Sequence, residues 1–300
     1  MVKGLKDDNR SRNYLIIAEN FYIEGQLEKA LVFYKKSLGF INDDIEEKID
    51  LLFNIALIND ELENKDEALK IYNEIIAYKP KYAGAYYGKA IVYDELGNKD
   101  KALENYFKAV EYDPEYDRAY FYIANIYDEI EEKNKAIEYY KKVVRIKADD
   151  YIAFNNMAAI YEELKEYDMA LEMVNESISI HSGYFRSLFN KGVILKGLNR
   201  REEAIEYYDK SIEVDPNYPF SYLNKSVIYI ERKDYKNAIK TLSVGIKNNP
   251  ETGFLYYNRA CSYAKLGEKE MAKKDLEKAI ELNPLFKERS KMDLDLENIL

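Results

Sequence analysis

Residues 83–116 read AGAYYGKAIVYDELGNKDKALENYFKAVEYDPEY, and the same order of residue types returns along most of the chain. The clearest marker is an alanine that recurs every 34 residues from Ala68 onward. A fixed period of this length predicts an array of repeated structural units, and such arrays offer a long surface rather than one enclosed pocket. The marker alanines are Ala30, Ala68, Ala102, Ala136, Ala170, Ala204, Ala238 and Ala272.

The spacing of small and aromatic residues predicts two helices in each copy. When Ala83 is numbered position 1, Tyr86, Ala90 and Tyr93 fall at positions 4, 8 and 11 and share one helical face. Positions 20, 24 and 27 repeat this face on a second helix. Small residues at 8, 20 and 27 let the two helices approach closely, and aromatic residues at 4, 11 and 24 fill the space beside them.

Residues with turn and cap chemistry separate the two helices. Gly97 and Asn98 interrupt the first helix, and Asp100 offers a side-chain cap for the second. Pro114, at position 32, ends the second helix because it cannot continue the backbone hydrogen bonding. Each copy is therefore predicted to be a helix–turn–helix hairpin.

This pattern resembles the tetratricopeptide repeat, in which position 4 is aromatic, 8 small, 11 aromatic, 20 alanine, 24 aromatic and 32 proline. The departures are few. Asn59 replaces the aromatic residue at position 11 of the second copy, and three copies lack the proline, with Asn42, Ala148 and Ser182 in its place. The resemblance implies an all-α fold, a right-handed α-solenoid superhelix of tandem helix–turn–helix hairpins.

The resemblance covers eight copies and leaves a short segment at each end. Residues 1–10 are predicted to be a leader, and residues 287–300, whose apolar residues keep helical spacing, a capping helix over the last copy. Ile45–Lys48 adds about one turn to the first helix of the second copy, with Asp43 or Asp44 as its cap. A single domain is predicted over 11–286, with copies at 11–44, 49–82, 83–116, 117–150, 151–184, 185–218, 219–252 and 253–286.

Composition restricts the classes of partner and the cellular compartment. A net charge of −10 argues against a nucleic-acid partner, because phosphate binding needs a basic surface. The first ten residues contain no apolar run, so neither a signal peptide nor a membrane span is predicted. One cysteine allows no internal disulfide and fits a reducing compartment, so the expected location is cytoplasmic. Nothing in the sequence indicates the oligomeric state.

The residue types that usually carry catalysis are scarce. His181 and Cys261 are the only histidine and cysteine, and they lie in the fifth and eighth copies, more than two copies apart and too far for a catalytic pair. A cluster of histidine and cysteine around a metal is excluded by number, and no glycine-rich phosphate loop is present. The chain is therefore predicted to be non-catalytic and to use no metal or cofactor.

The helix face opposite the core carries a row of asparagines. Positions 2, 6, 9 and 13 form this face, which in the family lines a concave groove where extended peptides bind. Asparagine amides both donate and accept hydrogen bonds, so a row of them can hold the backbone of an extended ligand. The competing interpretation is that these amides are only solvated. The row at position 6 is Asn156, Asn190, Asn224 and Asn258, with Asn54 in an earlier copy.

Four consecutive copies carry paired acids at positions 12 and 13. Acids at the C-terminal end of a helix oppose its dipole and repel one another, so local stability is not expected to explain them. A partner that is basic in part would neutralise them. The competing interpretation is a duplicated solvent face that keeps the chain soluble. The pairs are Asp60 and Glu61, Asp94 and Glu95, Asp128 and Glu129, and Glu162 and Glu163.

The later copies differ from the earlier ones on this face. They add apolar groove positions, of which Phe189, Leu223 and Tyr257 are predicted to contact the ligand; the others are Phe220 and Phe254. Basic residues stand at position 7, beside the core, where they are expected to pair with neighbouring carboxylates: Lys191, Lys225 and Arg259. No copy combines lysine at position 5 with asparagine at position 9, the pair by which family members hold the acidic C-terminus of chaperones.

These observations predict a protein–protein interaction module that holds an extended peptide or protein segment in the concave groove. A structural scaffold that uses its convex or edge surfaces is an alternative. A peptide-responsive regulator, which would need a separate effector, is another. The asparagine row and the acid pairs favour the groove.

Overall fold

The computed structural model describes residues 4–41, 44–297 and 299, with side chains from residue 10 onward. Within these residues the chain forms helices and turns, and no strand is present. The chain divides into two compact units, Met1–Ala148 and Asp149–Leu300. The boundary lies close to the junction between the fourth and fifth copies. The single domain over 11–286 stays a prediction.

Consecutive helices pack as antiparallel hairpins in both units, one hairpin for each predicted copy. Unit 1 contains α1 (Gly4–Ile23), α2 (Leu27–Leu38), α3 (Ile45–Glu61), α4 (Lys65–Tyr78), α5 (Ala83–Glu95), α6 (Lys99–Tyr112), α7 (Asp117–Glu129) and α8 (Lys133–Ile146). Unit 2 contains α9 (Tyr151–Glu163), α10 (Tyr167–Ile180), α11 (Phe185–Gly197), α12 (Arg201–Val214), α13 (Pro219–Glu231), α14 (Tyr235–Asn248), α15 (Gly253–Leu266), α16 (Lys269–Leu282) and α17 (Leu285–Met292).

The predicted core face is buried in both units. All eight marker alanines at position 20 are 0% exposed, and so are the position-24 rings of Tyr72, Tyr106 and Tyr208. Gly192 shows how tight the contact is, because a Cβ added there would lie 2.6 Å from the ring of Tyr208. Side chains in protein cores are close-packed, so small residues at positions 8 and 20 set how near the paired helices come.

The turn inside each hairpin requires a left-handed residue. Gly97 has φ of +73°, and its N–H donates to the carbonyl of Asp94 at 2.8 Å. Five copies place a residue with a side chain at this point, at φ close to +60°, which is strained for any residue except glycine. These residues are Glu63, Glu131, Lys165, Asn199 and Lys233.

The helix caps confirm one prediction and correct another. Asp44 caps α3 and accepts from the N–H of Glu47 at 3.0 Å, and Asp43, the other candidate, lies outside the described residues. The cap of α6 is Asn98, which accepts from the N–H of Lys101 at 3.2 Å, and not Asp100. The prediction was wrong because α6 begins at Lys99, two residues before the start that a cap at Asp100 implies, so Asp100 already lies in its first turn.

The two ends of the chain also differ from their predictions. Residues 4–10 belong to α1 and are not a separate leader. The final helix, α17, ends at Met292, and the described residues after it form turns. The side chain of Asp293 accepts from the N–H of Asp295 at 3.0 Å and competes with further helix formation. Leu296 is nevertheless fully buried against the last hairpin.

Candidate functional site

In unit 1, a lysine at position 17 pairs with acids of two successive copies. Lys65 contacts Asp60 at 2.9 Å within its own copy and also pairs with Glu95 of the next copy. Lys99 contacts Asp94 at 2.6 Å and Glu129 at 2.7 Å in the same way. We call Lys65, Lys99 and Lys133 the lysine ladder.

The lysine ladder overturns the expectation that local stability does not explain the acids. Lys133 pairs with Asp128 at 2.9 Å, so position 12 is neutralised within its own copy in three successive copies. Burial alone would lower the pKa of Lys99, but hydrogen bonds to Asp94 and Glu129 raise it above the ordinary value. The sequence argument failed because it considered the acids without the lysine five residues further along.

Glu162, at position 12 of the fifth copy, lacks this arrangement. Tyr167 stands at position 17 there, and within the described residues no ion pair includes Glu162. Burial, followed by repulsion from Glu163, raises the pKa of the Glu162 carboxyl. Unit 2 therefore begins with a half-buried carboxylate that carries no compensating cation.

The asparagine row uses part of its hydrogen-bonding capacity inside the chain. Asn224 donates to the carbonyl of Phe220 at 3.0 Å, and Asn258 donates to that of Phe254 at 2.7 Å. Both are half-buried side chains that bond to the backbone four residues earlier in the same helix. Each Asn Oδ1 and the second N–H can still bond to a ligand.

The row is connected differently at the start of unit 2. Asn190 donates to Oδ1 of Asn155 at 2.9 Å, and Nδ2 of Asn155 approaches Oδ1 of Asn156 at 3.4 Å. Ser187 also donates to Asn155 at 3.1 Å. Asn155 is buried and was not predicted as a site residue. Asn155 stands at position 5, next to Asn156, and this was the only sign of its role in the sequence.

The three predicted apolar contact residues lie in different surroundings. Phe189 packs edge-on against Tyr218 with ring centroids 5.1 Å apart, and Leu223 is half-buried beside a core cluster. Tyr257 is 2% exposed, because its ring stacks on Phe286 at 4.8 Å. Its hydroxyl donates to Asp293 at 2.8 Å. The structure therefore does not present Tyr257 to a ligand.

The two remaining apolar groove positions form a pair of rings on the asparagine-bearing helices. Phe220 and Phe254, both at position 2, stack with centroids 5.2 Å apart. Phe220 is 44% exposed. Their backbone carbonyls accept from Asn224 and Asn258, so each ring lies one helical turn from an amide. The sequence placed these rings on the groove face but did not predict them as contact residues, since their stacking depends on two successive copies.

The position-7 bases pair with neighbouring side chains as predicted. Arg259 forms a two-point contact with Asp275 at 2.6 and 2.8 Å, and Lys225 pairs with Asp209. Lys191 differs in its partner, since it donates to the amide oxygen of Asn175 at 2.6 Å. These bases are engaged by adjacent helices and do not face the asparagine row.

The histidine and cysteine occupy unrelated environments. His181 is exposed and its ring lies 4.7 Å from that of Tyr151. Burial, and then the negative charges of Asp293 and Asp295, raise the pKa of the Cys261 thiol, which disfavours the reactive thiolate. In the part of the chain that the structure describes, no group of three or more His, Cys, Asp or Glu side chains could hold a metal ion. Among those residues, no helix combines the length and hydropathy needed to cross a membrane.

Comparison with known proteins identifies the repeat. Models described as Tetratricopeptide repeat match residues 49–82, 83–116, 117–150, 151–182, 185–218, 207–240 and 254–286, which is more than half of the chain. No curated protein matches the sequence.

Several solved structures share the fold. The MamA protein is 23% identical over 57% of this chain and 94% of its own, with a TM-score of 0.52. PilF of Pseudomonas aeruginosa is 19% identical over 70% of this chain and 97% of its own, with a TM-score of 0.58. A chain of the APC/C hetero-tetramer Cut9–Hcn1 is 17% identical over 90% of this chain and 53% of its own, with a TM-score of 0.58.

Proposed function

Because this chain belongs to the tetratricopeptide repeat family, we propose that it is a non-catalytic interaction module that holds an extended segment of a protein partner. The proposed contact surface is the asparagine-bearing face of α11, α13 and α15. The acids of unit 1 would then favour a partner that is basic in part. The cytoplasmic location of this chain remains a prediction from the sequence.

One observation carries this proposal. Asn224 and Asn258 hold the same conformation one copy apart, each tied to the carbonyl at position 2 of its own helix. Because both amides are held in place, their remaining donor and acceptor groups are repeated at the spacing of the copies. The stacked rings of Phe220 and Phe254 lie beside them and offer an apolar contact for ligand side chains. A peptide backbone bonded to the amides would place alternate side chains toward these rings.

The negative charge of unit 1 supports the proposal that the partner is basic in part. In the part of the chain that the structure describes, Asp60, Asp94, Glu95, Asp128 and Glu129 pair with the three lysines of the lysine ladder, and the sixth acid, Glu61, accepts from the hydroxyl of Tyr22. The six acids and three lysines therefore keep an excess of negative charge even after the ion pairs form. Such an excess steers a basic segment and is screened by salt.

The test selects displayed peptides against the whole chain and measures the affinity of the selected peptides by calorimetry. Asn224→Ala combined with Asn258→Ala should weaken binding about tenfold, because each bond contributes about 0.5–1.5 kcal/mol. Asn134→Ala is the matched control, since Asn134 is exposed on α8, away from position 6. Equal affinity of the double variant and the control would refute the asparagine row as the contact.

The selected peptides also test the charge of the partner and the scaffold alternative. If the acids of unit 1 attract the ligand, affinity for basic peptides should fall as the salt concentration rises, while affinity for uncharged peptides should not. A partner that binds the double variant at full strength, and loses binding when exposed charges on the second helices are reversed, would assign function to the other face.

A further inference from the structure

The seventh copy, residues 219–252, contains a cleft on the side of α13 opposite Asn224. The cleft has a volume of about 220 Å³ and lies between α12, α13 and α14. Its walls combine tyrosine, lysine and small residues. The lining residues are Asp209, Ile212, Tyr222, Lys225, Tyr229, Asn237, Lys240, Thr241 and Val244.

The fourth copy fills the equivalent space with an aromatic ring. Tyr139, at position 23, stacks on Tyr127 at position 11, with centroids 5.5 Å apart and planes 12° apart. It also lies against Tyr120 at position 4, with centroids 6.3 Å apart and planes 23° apart. The ammonium of Lys142 stands 4.2 Å from the centre of the Tyr139 ring. The ring is thus held between two tyrosines and beneath a cation.

The seventh copy keeps the surrounding tyrosines but lacks the central ring. Tyr222 and Tyr229 occupy positions 4 and 11, whereas position 23 is Thr241. Among the described residues no aromatic ring stacks on Tyr222 or Tyr229. A threonine covers far less area than a phenol ring, so the replacement leaves the cleft open.

The cleft of the seventh copy also contains a cation, Lys225 at position 7, and the sixth copy shows how a lysine at this position contacts a ring at position 23. In the sixth copy, Lys191 at position 7 lies 4.3 Å from the centre of the Tyr207 ring at position 23. Lys225 is the position-7 residue of the seventh copy and lines the cleft, where it pairs with Asp209. The pairing neutralises the ammonium, and both partners line the cleft. An aromatic ring entering the cleft would therefore meet Lys225 and the half-buried ring of Tyr229, while Tyr222 is 1% exposed.

We propose that this cleft binds one tyrosine side chain of a partner polypeptide. A cavity of about 150 Å³ holds a benzene molecule, so the cleft has room for one phenol ring. Because Tyr222 is only 1% exposed and forms the buried base of the cleft, the partner ring would lie against Tyr229, in the place that Tyr139 fills in the fourth copy. Asn237 and Lys240 at the mouth can bond to its hydroxyl. This site is separate from the asparagine row and does not depend on the groove proposal.

Methyl NMR of the full chain tests the proposal with N-acetyl-tyrosinamide as the probe and N-acetyl-leucinamide as the control. The tyrosine compound should shift the methyl signals of Ile212, Thr241 and Val244, with a dissociation constant on the order of 1 mM for a ligand of this size. The leucine compound should not shift them. Absence of shifts with the tyrosine compound at several times that concentration would overturn the proposal.

Two reciprocal variants locate the binding. Thr241→Tyr supplies the missing ring, so it should abolish the shifts at Ile212 and Val244 and raise Tm. Tyr139→Thr empties the fourth copy, so p-cresol should raise its Tm more than that of the wild type. Shifts that survive Thr241→Tyr would place the probe elsewhere and reject the cleft. If Tyr139→Thr does not fold, the loss or survival of the shifts in Thr241→Tyr alone decides whether the probe binds in the cleft or elsewhere.

Discussion

Units 1 and 2 are built from the same hairpin but handle charge differently. In unit 1, Lys99 joins Asp94 of its own copy to Glu129 of the next, and Lys65 joins Asp60 to Glu95 in the same way. In unit 2, position 17 is Tyr167, Arg201 and Tyr235 in the fifth to seventh copies, and of these only Arg201 is a base, which reaches Glu231 of the next copy at 3.7 Å. The best-shielded ion pair there is Arg259 with Asp275, whose side chains are 16% and 5% exposed. The same lysine contact thus repeats in successive copies of unit 1, whereas the ion pairs of unit 2 differ from copy to copy.

This difference shows that equal folds do not require equal polar contacts. Position 20 is alanine in every copy because two helices touch there. Positions 12 and 17 face solvent more, so their identity can change between copies without loss of the hairpin. Such positions are where one copy can acquire a contact surface that another lacks.

The largest expected effect concerns the buried pair of unit 2. Arg259→Ala leaves Asp275 buried without its cation, which should lower the free energy of unfolding by about 3 kcal/mol. Urea denaturation followed by circular dichroism measures the change. Arg259→Met combined with Asp275→Leu should recover most of it, since neither charge remains. Equal stability of Arg259→Ala and the wild type would show that the pair is not important to unit 2.

A smaller loss is expected from the lysine ladder. Lys99→Met should cost about 1 kcal/mol at neutral pH, because its partners are partly exposed and solvent screens the pairs. The pKa of Lys99 is raised above its ordinary 10.5 by its carboxylate partners, so its contribution is present below about pH 10.5 and is lost at higher pH. Denaturation curves of the variant and the wild type should therefore converge above that pH. A difference that is constant to pH 12 would contradict the ion-pair explanation.

A gain of about 1 kcal/mol is expected at Lys165, one of the three strained turn residues of unit 2. Lys165 has φ of +62°, and glycine adopts this conformation without the Cβ penalty. Lys165→Gly should raise Tm in a thermal scan. Gly97→Ala, at the same turn of unit 1, is the matched variant and should lower Tm by a comparable amount. Opposite signs at the two sites would confirm that both units use one turn geometry.

The smallest effect is expected at position 12 of the fifth copy. Glu162→Gln should change the free energy of unfolding by no more than a few tenths of a kcal/mol and in the stabilising direction, because burial already disfavours its charge. Asp94→Asn removes an acceptor of Lys99 and should be destabilising. Equal effects of the two substitutions would show that the lysine ladder adds nothing to position 12.

The predicted site was only partly visible in the sequence. The spacing of Asn224 and Asn258 was sufficient to place both on one helix face, because helical periodicity is local. The partners of these residues were not predictable, since Asn258 bonds to its own helix while Asn190 bonds to the preceding copy. Tyr257 was assigned to an open surface because the path of residues 293–297 after the final helix could not be anticipated.

The repeat, the two-helix hairpin and the buried alanine contact follow from the order of residues alone, because each depends on side-chain size at a fixed helical spacing. The meeting of polar groups depends instead on how the helices pack in three dimensions. Lys65 lies 30 residues from Glu95, and Arg259 lies 16 from Asp275, so packing between helices brings them together. The cleft beside Thr241 has the same origin, since its volume is the space left between three helices when one ring is missing.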